Sequence, residues 1–147
     1  MADVIREINF DMDGTIANLY GVNGWLEYII AKDATPYAIA KPLVNLSALA
    51  RVLNRLQKNG WKINIISWLA KNSNKEYDEK VIDAKIQWLK EHLASVEFNN
   101  IAIVAYGTPK STCGNGILFD DEEPNRKEWK GTAYDVNNII EILKTLK

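Results

Sequence analysis

The chain has 147 residues, 47% of them hydrophobic and 25% charged, with a net charge of −1 and a single cysteine. That size and balance fit one globular domain, and the near-neutral charge gives no electrostatic case for nucleic acid or an anionic membrane surface as a partner. No run of eighteen apolar residues occurs, Met1-Ala2-Asp3 lacks the basic and apolar regions of a signal peptide, and Cys113 has no internal disulfide partner; the expectation is a cytoplasmic chain.

Strand and helix patterns alternate along the chain. Residues 4–10 (VIREINF) read as a first, largely buried strand. Residues 18–44 break the alternation: Tyr20, Trp25, Tyr28, Ile29, Ile30 and Tyr37 are interrupted by Pro36 and Pro42, and only residues 23–32 suggest a short helix. This insertion follows the first strand directly and is expected as a small lid, too short for a separate domain. Most of its aromatics are expected to pack the sheet edge. Leu46, Leu49, Leu53 and Leu56 then recur at helical spacing, with Asn45 or Ser47 as cap and Gly60 as stop. Residues 61–67 (WKINIIS) form a second strand, and two apolar stripes predict a helix over about 76–94. Residues 101–105 and 116–119 give a third and a fourth strand, and a last helix covers about 136–146 with Asp135 as cap. The fold class is α/β: a three-layer, Rossmann-like sandwich with a mostly parallel central sheet, in a single domain over 1–147.

The strand ends carry the chemistry. Asp11-Met12-Asp13-Gly14-Thr15 follows the first strand, Ser67 ends the second with Trp68 directly after it, and Asp120-Asp121 end the fourth. Lys110 precedes that fourth strand in the loop Gly107-Thr108-Pro109-Lys110-Ser111. Asp and Gly are common turn residues. At average residue frequencies, however, the pattern D-x-D-G-T arises by chance in about one chain per thousand of this length. In a parallel sheet all these ends fall on the edge where α/β folds bind ligands. Phosphoryl transfer needs in-line attack and neutralisation of the equatorial oxygens. Asp11 can attack as a carboxylate, and Asp13 can protonate the leaving oxygen and then activate water. Ser67, Lys110 and the amides around Gly14 can hold phosphate oxygens. Asp11 and Asp121 can hold Mg²⁺.

On these residues the chain resembles the haloacid dehalogenase superfamily of phosphatases. Its four motifs are DxDGT, a strand-end Ser or Thr, a Lys, and a paired Asp; here they are Asp11 to Thr15, Ser67, Lys110 and Asp120-Asp121. The resemblance implies Asp11 as nucleophile and Asp13 as acid/base, with Mg²⁺ as cofactor held by Asp11, the Asp13 carbonyl, Asp121 and Asp120. A narrower likeness is to the pyrimidine 5′(3′)-deoxyribonucleotidases, carried by Ala84-Lys85-Ile86-Gln87-Trp88, which matches their K-x-x-W helix. It implies that Lys85 lies near the phosphate. This chain departs from them in its smaller insertion and in Ser67-Trp68-Leu69 where they carry Thr-Ser-Pro.

The expected function is therefore a Mg²⁺-dependent phosphomonoester hydrolase acting on a nucleoside monophosphate or another small phosphate. The alternatives are a phosphatase for a phosphorylated macromolecule, favoured by the small lid, and a non-catalytic binding module on the same fold. Asp13 favours an enzyme, because phosphate binding alone needs no carboxylate there. Trp68 is expected at the mouth of the site; residues 19–37, together with Trp68, are the candidates for recognising whatever the phosphate is attached to. Trp61 and Trp129 read as packing residues, His92 as a partner of its helix dipole and Cys113 as a loop residue; Asn125 and Arg126, just beyond Asp121, read as a solvated turn, with support of the metal-binding loop as the alternative.

Overall fold

The computed structural model describes residues 5–147. Its elements in chain order are β1 (Glu7–Phe10), β2 (Ala17–Asn18), α1 (Trp25–Ile30), α2 (Thr35–Ile39), β3 (Lys41–Pro42), α3 (Leu46–Lys58), β4 (Lys62–Trp68), α4 (Lys75–His92), β5 (Asn100–Val104), β6 (Ile117–Phe119), α5 (Glu123–Glu128), β7 (Thr132–Tyr134) and α6 (Ile139–Lys144). Five strands make one parallel sheet in the order β5-β4-β1-β6-β7. With helices flanking the sheet, this is a Rossmann-like α/β fold. Strand β1 is central, and Ile8, Asn9 and Phe10 are all buried, as a strand covered on both faces requires.

The helices form where the sequence supplies both caps and an apolar stripe. Asn45 Oδ1 accepts the Ala48 N–H (3.1 Å) at the start of α3, which buries Leu49, Val52, Leu53 and Leu56 before Gly60 (φ +94°) turns the chain into β4. Asn74 Oδ1 likewise accepts the Tyr77 N–H (2.8 Å) of α4, whose first turn carries Glu76 and Asp78 and whose last turn carries Lys90 and His92. Leucines of α3, Trp88 and Leu89 of α4, and Ile139 and Leu143 of α6 pack with Ile8, Phe10, Ile63, Ile65 and Phe119. The other face is covered more thinly. Ile66 and Leu118 meet Trp129, Cys113 and Ala133, and the crossover from β5 to β6 (105–116) runs over the sheet with a single 3-10 turn at Lys110–Thr112. Buried amides tie that crossover down. Asn64 Nδ2 donates to Asn9 Oδ1 (3.0 Å), and Asn9 Nδ2 donates to the Asn115 and Ile117 carbonyls (2.6 and 3.0 Å).

Several boundaries differ from the sequence reading. Val4 lies outside the described residues, Ile5 is 55% exposed, and β1 begins at Glu7. Strand β7 and helix α5 were not expected: a three-residue strand between Gly131 and Asp135 is too short to show alternation. The last helix starts at Ile139 rather than 136, because the Asp135 carboxylate takes the adjacent Val136 N–H (2.7 Å) and does not cap it. Within the insertion, β2 and β3 pair at its base, Trp88 Nε1 donates to the Ala40 carbonyl (2.7 Å), and Leu19 and Tyr37 pack against Tyr77 and Val81. Helix α1 buries no residue.

Candidate active site

The Phe10 and Phe119 rings, register partners on β1 and β6, stack with centroids 5.3 Å apart. That core contact brings the next residue of each strand, Asp11 and Asp120, to the same sheet edge, where the Asp11 N–H donates to the Phe119 carbonyl (3.0 Å). The chain then turns tightly. The Met12 carbonyl accepts the N–H groups of Thr15, Ile16 and Ala17, and Gly14 adopts φ +83°. A Cβ on Gly14 would collide with the Asp121 carboxylate, so both the backbone angle and the close approach of Asp121 select glycine here. Thr15 Oγ1 donates to Asp11 Oδ2 (2.9 Å) and lies 3.4 Å from Asp121 Oδ1.

Lys110 joins the two acidic strand ends. Its Nζ, in a side chain 1% exposed, donates to Asp11 Oδ1 (2.8 Å) and Asp120 Oδ2 (2.7 Å). Burial alone would pull the ammonium down, but Asp11 and Asp120 outweigh it and hold Lys110 above the ordinary lysine value. Asp120 is fully engaged: Oδ1 accepts the Glu122 N–H (2.9 Å), and Oδ2 accepts Lys110 and Asn125 Nδ2 (3.2 Å). Among the described residues no cation pairs with Asp121. Burial, then the charges of Asp11 and Asp120, push its carboxyl up to about 8.

Oxygen atoms of Asp11, Asp120 and Asp121 all lie within 4.8 Å of one another. With all three carboxyls ionised, against one ammonium, this partly buried, all-oxygen donor set carries a formal charge of −2, a state that Asp121 reaches without metal only above about pH 8. A hard divalent cation fits that set in charge and in ligand chemistry.

The second carboxylate of the motif has its own lysine. Lys85, 1% exposed on α4, donates to Asp13 Oδ2 (2.9 Å), Ser67 Oγ (2.7 Å) and the Trp68 carbonyl (2.8 Å). The Tyr37 ring lies 5.1 Å from the same ammonium.

Asp11, Asp13 and Lys110 open into a cleft of about 160 Å³, a small site that leaves part of any nucleotide-sized ligand outside it. Its walls are aromatic. From the insertion come Tyr20, Trp25 and Tyr37, with Tyr20 and Trp25 edge-to-face at 5.0 Å; from the sheet edge come Trp68 and Tyr106, also 5.0 Å apart. Trp68 is fixed by its Nε1, which donates to the Thr108 carbonyl (2.8 Å). Glu122 and Lys71 complete the rim.

Of the residues singled out in the sequence, Asp11, Asp13, Trp68 and Lys110 line the cleft, Asp120 and Asp121 flank Asp11, and Ser67 and Lys85 lie just behind Asp13. Asn125 takes the second of its two expected roles: it is 7% exposed rather than solvated and braces Asp120, while Arg126 donates to the Asp120 carbonyl (3.0 Å). Thr15, Tyr106, Lys71 and Glu122 had no role assigned from sequence. Thr15 carries a signal as the last residue of the D-x-D-G-T motif, and Tyr106 lies two residues beyond a strand of the same parallel sheet. Trp61 and Trp129 are packing residues, 8% and 6% exposed.

No protein-family model matches the chain, and no curated protein matches it. Among solved structures it is similar to D,D-heptose 1,7-bisphosphate phosphatase from Burkholderia thailandensis, with a TM-score of 0.54, 10% sequence identity, and coverage of 95% of this chain and 97% of that one. At that identity the likeness shows a shared fold, and the fold is the one that the resemblance to the haloacid dehalogenase superfamily implies.

Proposed function

We propose that the chain is a Mg²⁺-dependent phosphomonoester hydrolase working through an aspartyl-phosphate on Asp11. The observation that carries this reading is the convergence of Asp11, Asp13 and Lys110 in one cleft, with Asp120 and Asp121 beside Asp11. Asp11 attacks phosphorus as the P–O bond to the leaving group breaks, and Asp13 gives that oxygen its proton. In the second half, water attacks the phosphorus of the aspartyl-phosphate, Asp13 takes the proton that water loses, and the Asp11 carboxylate leaves. Lys110, which lines the cleft, offsets charge on the phosphoryl oxygens, with the Ser67 hydroxyl buried behind Asp13. Asp11, Asp121 and the Asp13 carbonyl, with Asp120 behind them, would hold Mg²⁺, which supplies neutralisation of the negative charge shared by carboxylates and phosphate.

The substrate we infer is a nucleoside monophosphate or a similar small phosphate with a flat leaving group. The aromatic walls of the cleft support it, since base stacking on an aromatic face contributes roughly 1–3 kcal/mol per base. A second reading, a phosphatase for a phosphorylated macromolecule, is favoured by the openness of the site below α1, which buries no residue. A panel of phosphorylated metabolites assayed for inorganic phosphate release with Mg²⁺ and with chelator separates them. Nucleotide hydrolysis that vanishes in chelator is the expected result. Hydrolysis in full chelator would defeat the metal assignment, and an inert chain on the whole panel would defeat the small-substrate reading.

A further inference from the structure

We infer that Lys85 is a positioning residue that sets the carboxylate of Asp13 and the hydroxyl of Ser67, and that it does not bind the phosphate. This rests on the phosphatase reading above. An ammonium has three donors and no acceptor, and all three of Lys85 are taken, by Asp13 Oδ2, Ser67 Oγ and the Trp68 carbonyl. Its side chain is 1% exposed, and it is not among the residues that line the cleft. A phosphate oxygen could reach Lys85 only by breaking a bond to a buried acceptor. The Tyr37 ring, itself 5% exposed, lies close to the same ammonium.

Each bond has a consequence for the partner. Asp13 Oδ2 is tied to Lys85, and Oδ1 takes no hydrogen bond from the described residues, so one oxygen anchors the carboxylate and the other is left to carry the transferred proton. Ser67 Oγ accepts from Lys85, which fixes the buried hydroxyl behind Asp13. The arrangement divides the two lysines: Lys110 serves the nucleophile Asp11, and Lys85 serves the acid/base Asp13.

The test compares leaving groups. A nitrophenyl phosphate expels a stable phenolate and needs no proton; an alkyl phosphate needs the proton from Asp13. Wild type, Lys85→Met, Lys85→Gln and Asp13→Asn are assayed with Mg²⁺ on nitrophenyl phosphate and on two alkyl esters, glycerol phosphate and uridine 5′-monophosphate. Correctly placed acid catalysis is worth about 10²–10⁴-fold. Lys85→Met should therefore lose at least about tenfold more kcat on the alkyl esters than on nitrophenyl phosphate, with KM little changed. Asp13→Asn should show the same bias, and the double variant should lose no more on the alkyl esters than Asp13→Asn alone. Lys85→Gln, which keeps an N–H for Asp13, should recover part of the loss and gives a second reading if the Met variant does not fold. Equal losses on all esters, or a rise in KM alone, would overturn the inference and return Lys85 to phosphate binding, leaving the phosphatase reading intact. A wild type confined to the nitrophenyl ester would also overturn it, because no working proton donor would be present. A wild type inert on all three would overturn the inference together with the function it rests on.

Discussion

Removing the ammonium of Lys110 should destabilise the metal-free protein severely and the metal-loaded protein much less. Lys110→Met keeps the length and apolar stem of the side chain but leaves Asp11 and Asp120 facing each other without their shared cation. Asp120 is 0% exposed and Asp11 7%, so cleft water can reach Asp11 but replaces the ammonium poorly at Asp120. Breaking a buried ion pair by deleting one partner costs roughly 3–5 kcal/mol. For a domain of this length each kcal/mol shifts the melting temperature by about 2–4 °C, so the variant should melt roughly 6–20 °C below wild type in chelator. Mg²⁺ beside the same carboxylates should recover part of that difference. Adding Asp120→Asn removes one of the stranded charges and should recover part of it without metal, a coupling that a double-mutant cycle reads directly. Thermal melts followed by circular dichroism, in chelator and in Mg²⁺, make the measurement. A Lys110→Met variant within about 2 °C of wild type in chelator would refute the electrostatic account of this cluster.

Asp121 supplies a pH signature. Its folded carboxyl is raised from 3.8 to about 8, so the native state holds a proton that the unfolded chain releases, and its contribution to metal-free stability is lost as pH rises through that window. Wild type in chelator should lose stability between pH 4 and 8, the Mg²⁺-induced rise in melting temperature should grow over the same range, and Asp121→Asn should flatten both; an unchanged slope in the variant would contradict the assignment. Asp121→Ala should weaken the apparent Mg²⁺ affinity in activity assays by at least about tenfold, whereas Asp120→Ala should act more through kcat, because Asp120 is occupied by Lys110, Asn125 and the Glu122 N–H. Trp68→Ala should lower kcat/KM for nucleotides by about ten- to a hundredfold and for nitrophenyl phosphate much less. Equal losses on both would assign Trp68 to support of the phosphate pocket through its bond to Thr108.

What could be read from the sequence was local. Asp11 to Thr15 is contiguous, so its turn chemistry shows in the residue types, and Leu46 to Leu56 shows its buried face in its spacing. The meeting of Lys110 with Asp11 and Asp120 follows from topology once the strands are taken as parallel. Other features depend on contacts between segments far apart in the chain. For Asn125 the sequence favours a solvated turn over support of the acidic pair, because only the return of α5 against the Lys110 loop buries it. Lys85 occupies one position on a long helix, and its three acceptors come from the Asp13 turn and the end of β4, a convergence that no periodicity encodes. Strand β7 was missed because three residues cannot display a period of two. The aromatic cleft was half legible: Trp68 follows a strand-end serine, whereas Tyr20 and Trp25 reach the cleft only through the fold of the insertion.

The most direct test of the central claim is to locate the phosphoryl group during turnover. The protein is mixed with a phosphomonoester that it hydrolyses in Mg²⁺, quenched in acid within the steady state, and digested, and the peptide containing Asp11 is examined by mass spectrometry. A single phosphoryl group on Asp11, present in wild type, accumulating in Asp13→Asn and absent in Asp11→Asn, is the predicted result. Sustained hydrolysis with Asp11 unmodified, or undiminished in Asp11→Asn, would contradict it.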